Sequence, residues 1–312
     1  LIHVYEGDDI LMPYLDGDGN HFDIVDGMCI LDSCGDYCAD DTDPRTMFVL
    51  TKLVEHLHAF AKETQLTHAE WARGLKFVTD AGKITDDERN EFVLISDVTG
   101  LSSLVDMIGS QHDGTSSSVL GPFHSVGAPV LPVGGDLKKD NDGATVLVEG
   151  VVRDTDGNPI EGAMIELWQT AENGLYYSQD GDQGDFNLCC SMKTGADGRY
   201  AMTTVKPAPY KVPDDGPVGE LFRATGRTPW RPSHLHFIVQ SEGHRSLVTE
   251  VFANDDPYLD SDAVFGVRED LIMDYVETHD LDALPNDLEI GRNATLPYFK
   301  VDFDFVLVTE NT

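Results

Sequence analysis

The segment Ser233-His234-Leu235-His236-Phe237-Ile238-Val239-Gln240 constrains the fold more tightly than any other. Side chains in a β-strand alternate between faces, so Leu235, Phe237 and Val239 share one face while His234, His236, Ile238 and Gln240 share the other. The first face reads as core. The second carries two imidazoles that converge on one point, and imidazole nitrogen is the commonest protein metal ligand. Taken alone, the His-x-His pattern reads slightly better as two satisfied histidines on a half-exposed strand. A metal site needs ligands from elsewhere in the chain.

Residues 1–42 are rich in Gly and Asp, show no period, and suggest no function. Asp43-Pro44 is a cap followed by a residue suited to the first helical position, and Leu50, Leu53, Val54, Leu57, Phe60 and Ala61 then recur at helical spacing. Thr67-His68-Ala69-Glu70 and Thr85-Asp86-Asp87-Glu88 have capping-box form, so two further helices are expected to begin there. Leu101–Ile108 supplies a fourth apolar segment. After the polar stretch Gly109–Ser118 the texture changes to short β-rich segments punctuated by Gly, Pro, Asn and Asp. Val146–Val152 and Ala163–Trp168 read as strands joined by the turn Asp154–Pro159. Phe299, Val301, Phe303 and Phe305 alternate with polar residues as one half-buried strand. The expected fold is mainly β with α: an N-terminal extension (1–42), a helical linker and dimerisation unit (43–115), and an antiparallel β-sandwich catalytic domain (116–312).

Among the 312 residues, 21 Lys and Arg face 56 Asp and Glu, a net charge of −35 that argues against nucleic acid or anionic membrane as partners. A small molecule is the expected partner. Such acidity suits a high-salt cytoplasm, although an ordinary acidic protein explains it equally well. With no apolar run of spanning length and no basic-then-apolar leader pattern, a cytoplasmic protein without membrane insertion is expected; the first residue, Leu1, leaves room for a removed leader. Five cysteines are too few for a disulfide scaffold. Cys29, Cys34 and Cys38 with His21 are a weak zinc candidate, because no CxxC element is present. Cys189 and Cys190 are expected to be reduced. Asn293-Ala294-Thr295 fits a glycosylation sequon expected to be unused.

Candidate oxygen ligands are Tyr176, in Asn173-Gly174-Leu175-Tyr176-Tyr177-Ser178, and Tyr210, in Pro207-Ala208-Pro209-Tyr210-Lys211-Val212-Pro213. Both lie in turn-rich sequence, where loops place functional groups at the rim of a rigid scaffold. At this point the motifs Val119-Leu120-Gly121-Pro122-Phe123, Gly157–Trp168, Phe186-Asn187-Leu188, the turn before Tyr210 and Arg231–Phe237 together resemble the intradiol ring-cleaving dioxygenases. The resemblance extends through the helical region, including His56–Phe60 and Leu94–Val98, and spans all but roughly the first 40 residues.

That resemblance implies one non-haem iron(III) per chain, held by Tyr176, Tyr210, His234 and His236, with Tyr177 as the alternative to Tyr176. A phenol with a pKa near ~10 ionises at neutral pH only when a strong Lewis acid takes its oxygen. The implied reaction joins an aromatic 1,2-diol to O2 and opens the ring between the hydroxylated carbons. Tyr210 would yield its place to the diol and accept a proton, and Arg231 would stabilise developing negative charge. Arg231 lies opposite the histidines by parity unless Pro232 redirects it. Expected around the ring are Leu94, Asp97, Val119, Leu120, Gly121, Pro122, Phe123, Val212, Pro213 and Val264. The Val119–Phe123 motif and Asp256–Gly266 most resemble the hydroxyquinol branch, and Asp97 could accept a hydrogen bond from a third hydroxyl; catechol or a chlorocatechol is the alternative substrate. Glu250 stands where catechol-cleaving relatives carry glutamine, and it has no assigned role. A homodimer through the helical unit, with lipid between helices, is a further implication. The competing class is a non-catalytic prealbumin-like binding module, which explains the sandwich but not two Tyr and two His together. An extradiol iron(II) site would use two His and a carboxylate, and the paired Tyr motifs argue against it.

Overall fold

A computed structural model describes residues 43–86, 89–109, 113–280 and 296–310. The cysteine group near the N-terminus and the Asn293 sequon lie outside the described residues. The chain divides into two compact units, residues 1–76 and 77–312. Helix α1 (Pro44–Glu63) starts as its sequence indicates, with the Asp43 carboxylate accepting the Thr46 N–H at 2.8 Å. Its apolar residues Leu50, Leu53, Leu57 and Phe60 are exposed. Helix α2 (His68–Ile84) opens on the expected reciprocal box, in which Thr67 N–H donates to Glu70 and Glu70 N–H donates to Thr67 Oγ1.

The second box does not start a helix. Thr85 instead ends α2, its hydroxyl donating to the Ala81 carbonyl at 2.8 Å, and α3 (Glu91–Val98) begins six residues later under the Asn90 side chain, which accepts from Phe92 and Val93. A threonine hydroxyl can serve either helix end, and here the carbonyl nearby took it. Helix α4 (Leu101–Gly109) follows at 72° to α3. No single helix among the described residues is long and apolar enough to cross a membrane.

Two large sheets and a two-stranded ribbon hold the strands of the described residues. The larger orders β1 (Gly135–Asp136), β5 (Arg199–Val205), β2 (Thr145–Asp154), β12 (Tyr298–Asp302) and β11 (Val276–Thr278), with β13 (Phe305–Leu307) also on β2. The smaller orders β10 (Ile272–Met273), β9 (Leu247–Ala253), β8 (His234–Gln240), β3 (Met164–Trp168) and β4 (Cys189–Lys193). A two-stranded ribbon pairs β6 (Tyr210–Lys211) with β7 (Trp230–Arg231), and helix α5 (Pro217–Thr225) lies between them in sequence. The long pairings are antiparallel, as expected of the sandwich, but β12 and β13 run parallel to β2. The strand expected over 299–305 is therefore two short ones in one register. Between them the Phe303 carbonyl sits where Gly150 has no Cβ and accepts the Tyr200 hydroxyl at 2.6 Å, while Asp304 Oδ1 replaces a backbone acceptor for Val151 N–H.

The core lies between the sheets, where Val146, Val148 and Val152 of β2 pack in one cluster with Ile165, Leu167, Leu235, Phe237 and Val239. By strand parity His234, His236 and Ile238 then face away from it. That outer face is covered by a second apolar cluster that includes Leu94 and Val98 of α3, Val218 and Phe222 of α5, Val119 and Val264. A fully buried carboxylate anchors the cover: Glu91 accepts Val218 N–H at 3.1 Å at the start of α5, where Gly216 offers no side-chain cap, and is paired with Arg89 at 3.0 Å. Glu91→Ala is expected to cost about 2–3 kcal/mol, because a helix terminus loses a charge-assisted bond and the partly exposed Arg89 loses little. A lower denaturant midpoint at unchanged m-value checks this.

Candidate metal centre

Cross-strand register builds the site. Trp168 of β3, His236 of β8 and Glu250 of β9 are direct neighbours across three strands, and His234 opposes Phe252. Partners directly opposite share a face, so the Glu250 carboxylate is delivered beside both histidines. The indole of Trp168 stacks on His236 with centroids 4.7 Å apart and planes 4° apart. Gly121, at φ +69°, passes so close that a Cβ there would stand 3.3 Å from His236 Cε1. The ring is held from both sides.

Tyr176 is buried at the start of a 3₁₀ turn (Tyr177–Gln179), and its Oη lies 3.1 Å from His236 Nε2. Tyr177 is half-buried, with its ring centroid 5.4 Å from that of Phe186. Tyr210 of β6 opposes Arg231 of β7, and its Oη accepts from Arg231 Nη1 at 3.4 Å. Pro232 and Ser233 break the strand between β7 and β8, which brings Arg231 to the histidine side despite the parity of its position. The Nε2 atoms of His234 and His236 face each other at 3.1 Å.

The Pro232 carbonyl can only accept, so the proton of His234 sits on Nδ1, donated at 2.6 Å, and Nε2 presents a lone pair. Burial holds both imidazoles below their ordinary pKa and therefore neutral, helped at His234 by Arg231 and at His236 by His234. Burial pushes the Tyr176 phenol far up and the Tyr210 phenol up, the latter opposed by Arg231. Such phenols ionise only against a strong Lewis acid. Ligand atoms about 2.0–2.1 Å from a first-row ion stand roughly 3 Å from one another at adjacent positions, and the 3.1 Å spacings among His234, His236 and Tyr176 fit that demand. Two imidazole lone pairs and two phenol oxygens match a hard trivalent ion of the iron(III) type.

His234, His236 and Glu250 also bring ligand atoms within 4.8 Å of one another, the outline of a two-histidine, one-carboxylate set. The carboxylate is already engaged, however. Its Oε1 accepts from Arg231 at 2.7 Å, and its Oε2 accepts from Arg231 at 2.9 Å and from Ser118 at 2.6 Å. Burial pushes the Glu250 carboxyl up, but Arg231, His234 and the Ser118 hydroxyl together outweigh burial and hold it below its ordinary value. Arg231 is bonded as well to Asp262 at 3.1 Å. Asp262 and Trp168 escaped the sequence reading; the one lies 31 residues from Arg231, and the other reads as ordinary core.

Above the donors a narrow cavity is lined by Leu94, Asp97, Val119, Gly121, Pro122, Phe123, Val212, Pro213 and Val264 together with Tyr210 and Arg231. All the expected ring neighbours are thus assembled except Leu120, which is 44% exposed and lines an adjoining cleft of about 640 Å³ with Asp97 and Asp106. Phe123 stacks on Tyr176 at 4.5 Å. The loop bearing it is tied to β3 by His124, whose Nε2 lies 2.8 Å from Glu166 Oε2.

A family sequence model described as "Dioxygenase" matches residues 124–309, and one described as "Catechol dioxygenase N terminus" matches residues 43–116. The chain belongs to the intradiol dioxygenase family. It is 44% identical to hydroxyquinol 1,2-dioxygenase of Rhizobium sp. (strain MTP-10005), over 86% of this chain and 90% of that protein. It is 45% identical to 6-chlorohydroxyquinol 1,2-dioxygenase of Cupriavidus pinatubonensis, over 86% of this chain and 92% of that one. The solved hydroxyquinol 1,2-dioxygenase of Pseudomonas putida DLL-E4 superposes with a TM-score of 0.81 at 42% identity, covering 90% of this chain and 98% of that one. Membership makes the chain an oxidoreductase acting on an aromatic diol and O2 and implies non-haem iron, in agreement with the donor set. The non-catalytic module is thereby set aside.

Asp97, 5% exposed, has its pKa raised above 3.8 by burial, against a hydrogen bond from Ser102. The folded state therefore binds that proton more tightly than the unfolded chain, and the stability this contributes is present below pH 3.8 and lost as pH rises through the raised value. Asp97→Asn is expected to raise the melting temperature at pH 7, with the gain fading as pH falls toward 3.8, in melts across that range.

Proposed function

We propose that the chain cleaves hydroxyquinol (benzene-1,2,4-triol) between its adjacent hydroxylated carbons, taking up one O2 to give 3-hydroxy-cis,cis-muconate, the tautomer of maleylacetate. The observation that carries this is the meeting of Tyr176, Tyr210, His234 and His236 beneath a cavity whose wall holds the buried carboxyl of Asp97. In this reading the four residues hold one iron(III) per chain, which as a Lewis acid draws electron density from the bound diol and readies its ring for O2. Tyr210, whose Oη lies beside Arg231, would take the second hydroxyl proton of the diol at that oxygen. Arg231, held by Glu250 and Asp262, faces the negative charge that develops on the opening ring. Leu94, Val119, Val212 and Val264 enclose the ring with apolar surface, and Asp97 accepts from the third hydroxyl. A buried acceptor left unpaired by catechol is what makes the triol preferred.

The same reading takes residues 43–115 as a dimerisation unit and 116–312 as the catalytic domain, a cytoplasmic homodimer. Support comes from the exposed Phe48, Leu50, Leu53, Leu57 and Phe60 of α1, an apolar stripe unusual for a surface that meets only water. Sedimentation at twice the chain mass is expected, and a monomer would remove this part of the reading.

Oxygen uptake with the triol, catechol and chlorocatechols side by side, with product identification, tests the substrate. The triol should be turned over fastest, and faster turnover of catechol would sink the assignment. Asp97→Asn should lower kcat/KM for the triol by about 10- to 100-fold and change catechol turnover far less. Tyr176→Phe should weaken iron binding and lower and shift the visible tyrosinate-to-iron absorption to what Tyr210 alone supplies, while Tyr177→Phe keeps both unchanged; the reverse result would exchange the two assignments.

A further inference from the structure

We infer that Glu250 is the outer carboxylate of this centre: its Oε1 receives the Nδ1–H of His236 while its remaining bonds hold Arg231, so that one side chain positions both an imidazole and the guanidinium beside Tyr210. The inference rests on the four-residue donor set proposed above.

His236 presents Nε2 to Tyr176 Oη and His234 Nε2, and a neutral imidazole offers a lone pair there only if its proton is on Nδ1. That Nδ1 is buried and makes no hydrogen bond of good geometry. The Glu250 Oε1 stands 3.3 Å from it. The carboxylate oxygen is therefore within reach of the nitrogen but off the line of its N–H, and a small turn of the carboxylate would bring the two into a hydrogen bond. The ring cannot turn to find another, because Trp168 lies flat against it and Gly121 closes on Cε1. Register fixes the acceptor in turn, since His236 and Glu250 are paired residues of β8 and β9. A ligating histidine nearly always passes its second N–H to a carboxylate or carbonyl, which fixes the tautomer and raises ligand basicity. His234 does so through Pro232, and for His236 the carboxylate at that distance is Glu250.

Direct ligation by Glu250 is the competing arrangement. Its Oε1 lies 3.4 Å from His234 Nε2 as well as 3.3 Å from His236 Nδ1, but both its oxygens are already occupied by Arg231 and Ser118. Glu250 is therefore a positioning residue, acting through His236 and Arg231.

Glu250→Gln keeps the size of the side chain and removes its charge. In the iron-loaded protein, competition with a chelator should show metal affinity lowered about 10- to 100-fold. The iron(III)/iron(II) potential should move positive, while Asp262→Asn, which touches Arg231 and not His236, leaves affinity near wild type and lowers turnover. Loading with gallium(III) gives a readout independent of turnover and of the variant's folding: the His236 Nδ1–H of the unmodified protein should appear as a slowly exchanging, strongly downfield proton. Absence of that resonance, or wild-type affinity and potential in Glu250→Gln, overturns the inference. So does complete metal loss in Glu250→Gln with retention in Tyr176→Phe, which would make the carboxylate a direct ligand. A wild-type protein that takes up no iron sinks the donor-set reading itself, and this inference with it.

Discussion

The rung Trp168–His236–Glu250, running across β3, β8 and β9, is the constraint on which the centre depends. Its register is set on the opposite face, where Leu235, Phe237 and Val239 are fully buried in the sandwich core. Since the side-chain period of a strand is two, a slip of one residue would turn both histidines into the core and three apolar side chains out of it. Burial at about 1.5–3 kcal/mol for each large apolar side chain makes that slip prohibitive. Apolar packing thus fixes the polar geometry, and the metal-binding face needs no stabilising interactions of its own to be aligned.

Arg231 depends on that rung. A fully buried guanidinium costs several kcal/mol in lost hydration, which paired and hydrogen-bonded carboxylates can offset. Glu250 and Asp262 supply them along adjacent edges that share Nη2, and Gly266 makes room, since a Cβ there would lie 2.7 Å from Glu250 Oε2 and 2.8 Å from Arg231 Nη2. The pairing leaves Nη1 directed at Tyr210 Oη and His234 Nε2. An arginine fastened in this way cannot swing toward the surface carboxylates that are so abundant in this chain.

Much of this was legible in the residues, for identifiable reasons. The parity of β8 follows from strict alternation, and the start of α1 from Asp43-Pro44, because both are local signals. The family motifs placed the four donor residues in advance, and the structure brings those four together. Thr85 misled because its hydroxyl can cap either the end of one helix or the start of the next. The break at Phe303 was hidden because it is imposed by Gly150 and Tyr200 of other strands, while the alternation of Phe299–Phe305 continues unchanged through it. Arg231 could be placed only once the chain was seen to turn at Pro232. Asp262 lay inside the Asp256–Gly266 segment that resembles the hydroxyquinol branch, but nothing local set it apart from the Asp256 and Asp260 carboxylates beside it.

The charges assembled around the donors bear on which ion suits them. On the proposed ligation the two phenols would ionise, and together with Glu250, Asp262 and the one cation bonded to both, Arg231, they sum to three net negative charges, the Asp97 carboxyl of the cavity wall standing apart from this bonded group. A trivalent ion neutralises that total, and a divalent one leaves a negative charge buried without a partner. Uncompensated buried charge is among the costliest features a fold can carry. A glutamine in place of Glu250 would leave a trivalent site with one positive charge in excess. On the proposed ligation the carboxylate at this position would therefore do more than hold Arg231: it would complete a charge balance that suits a trivalent ion.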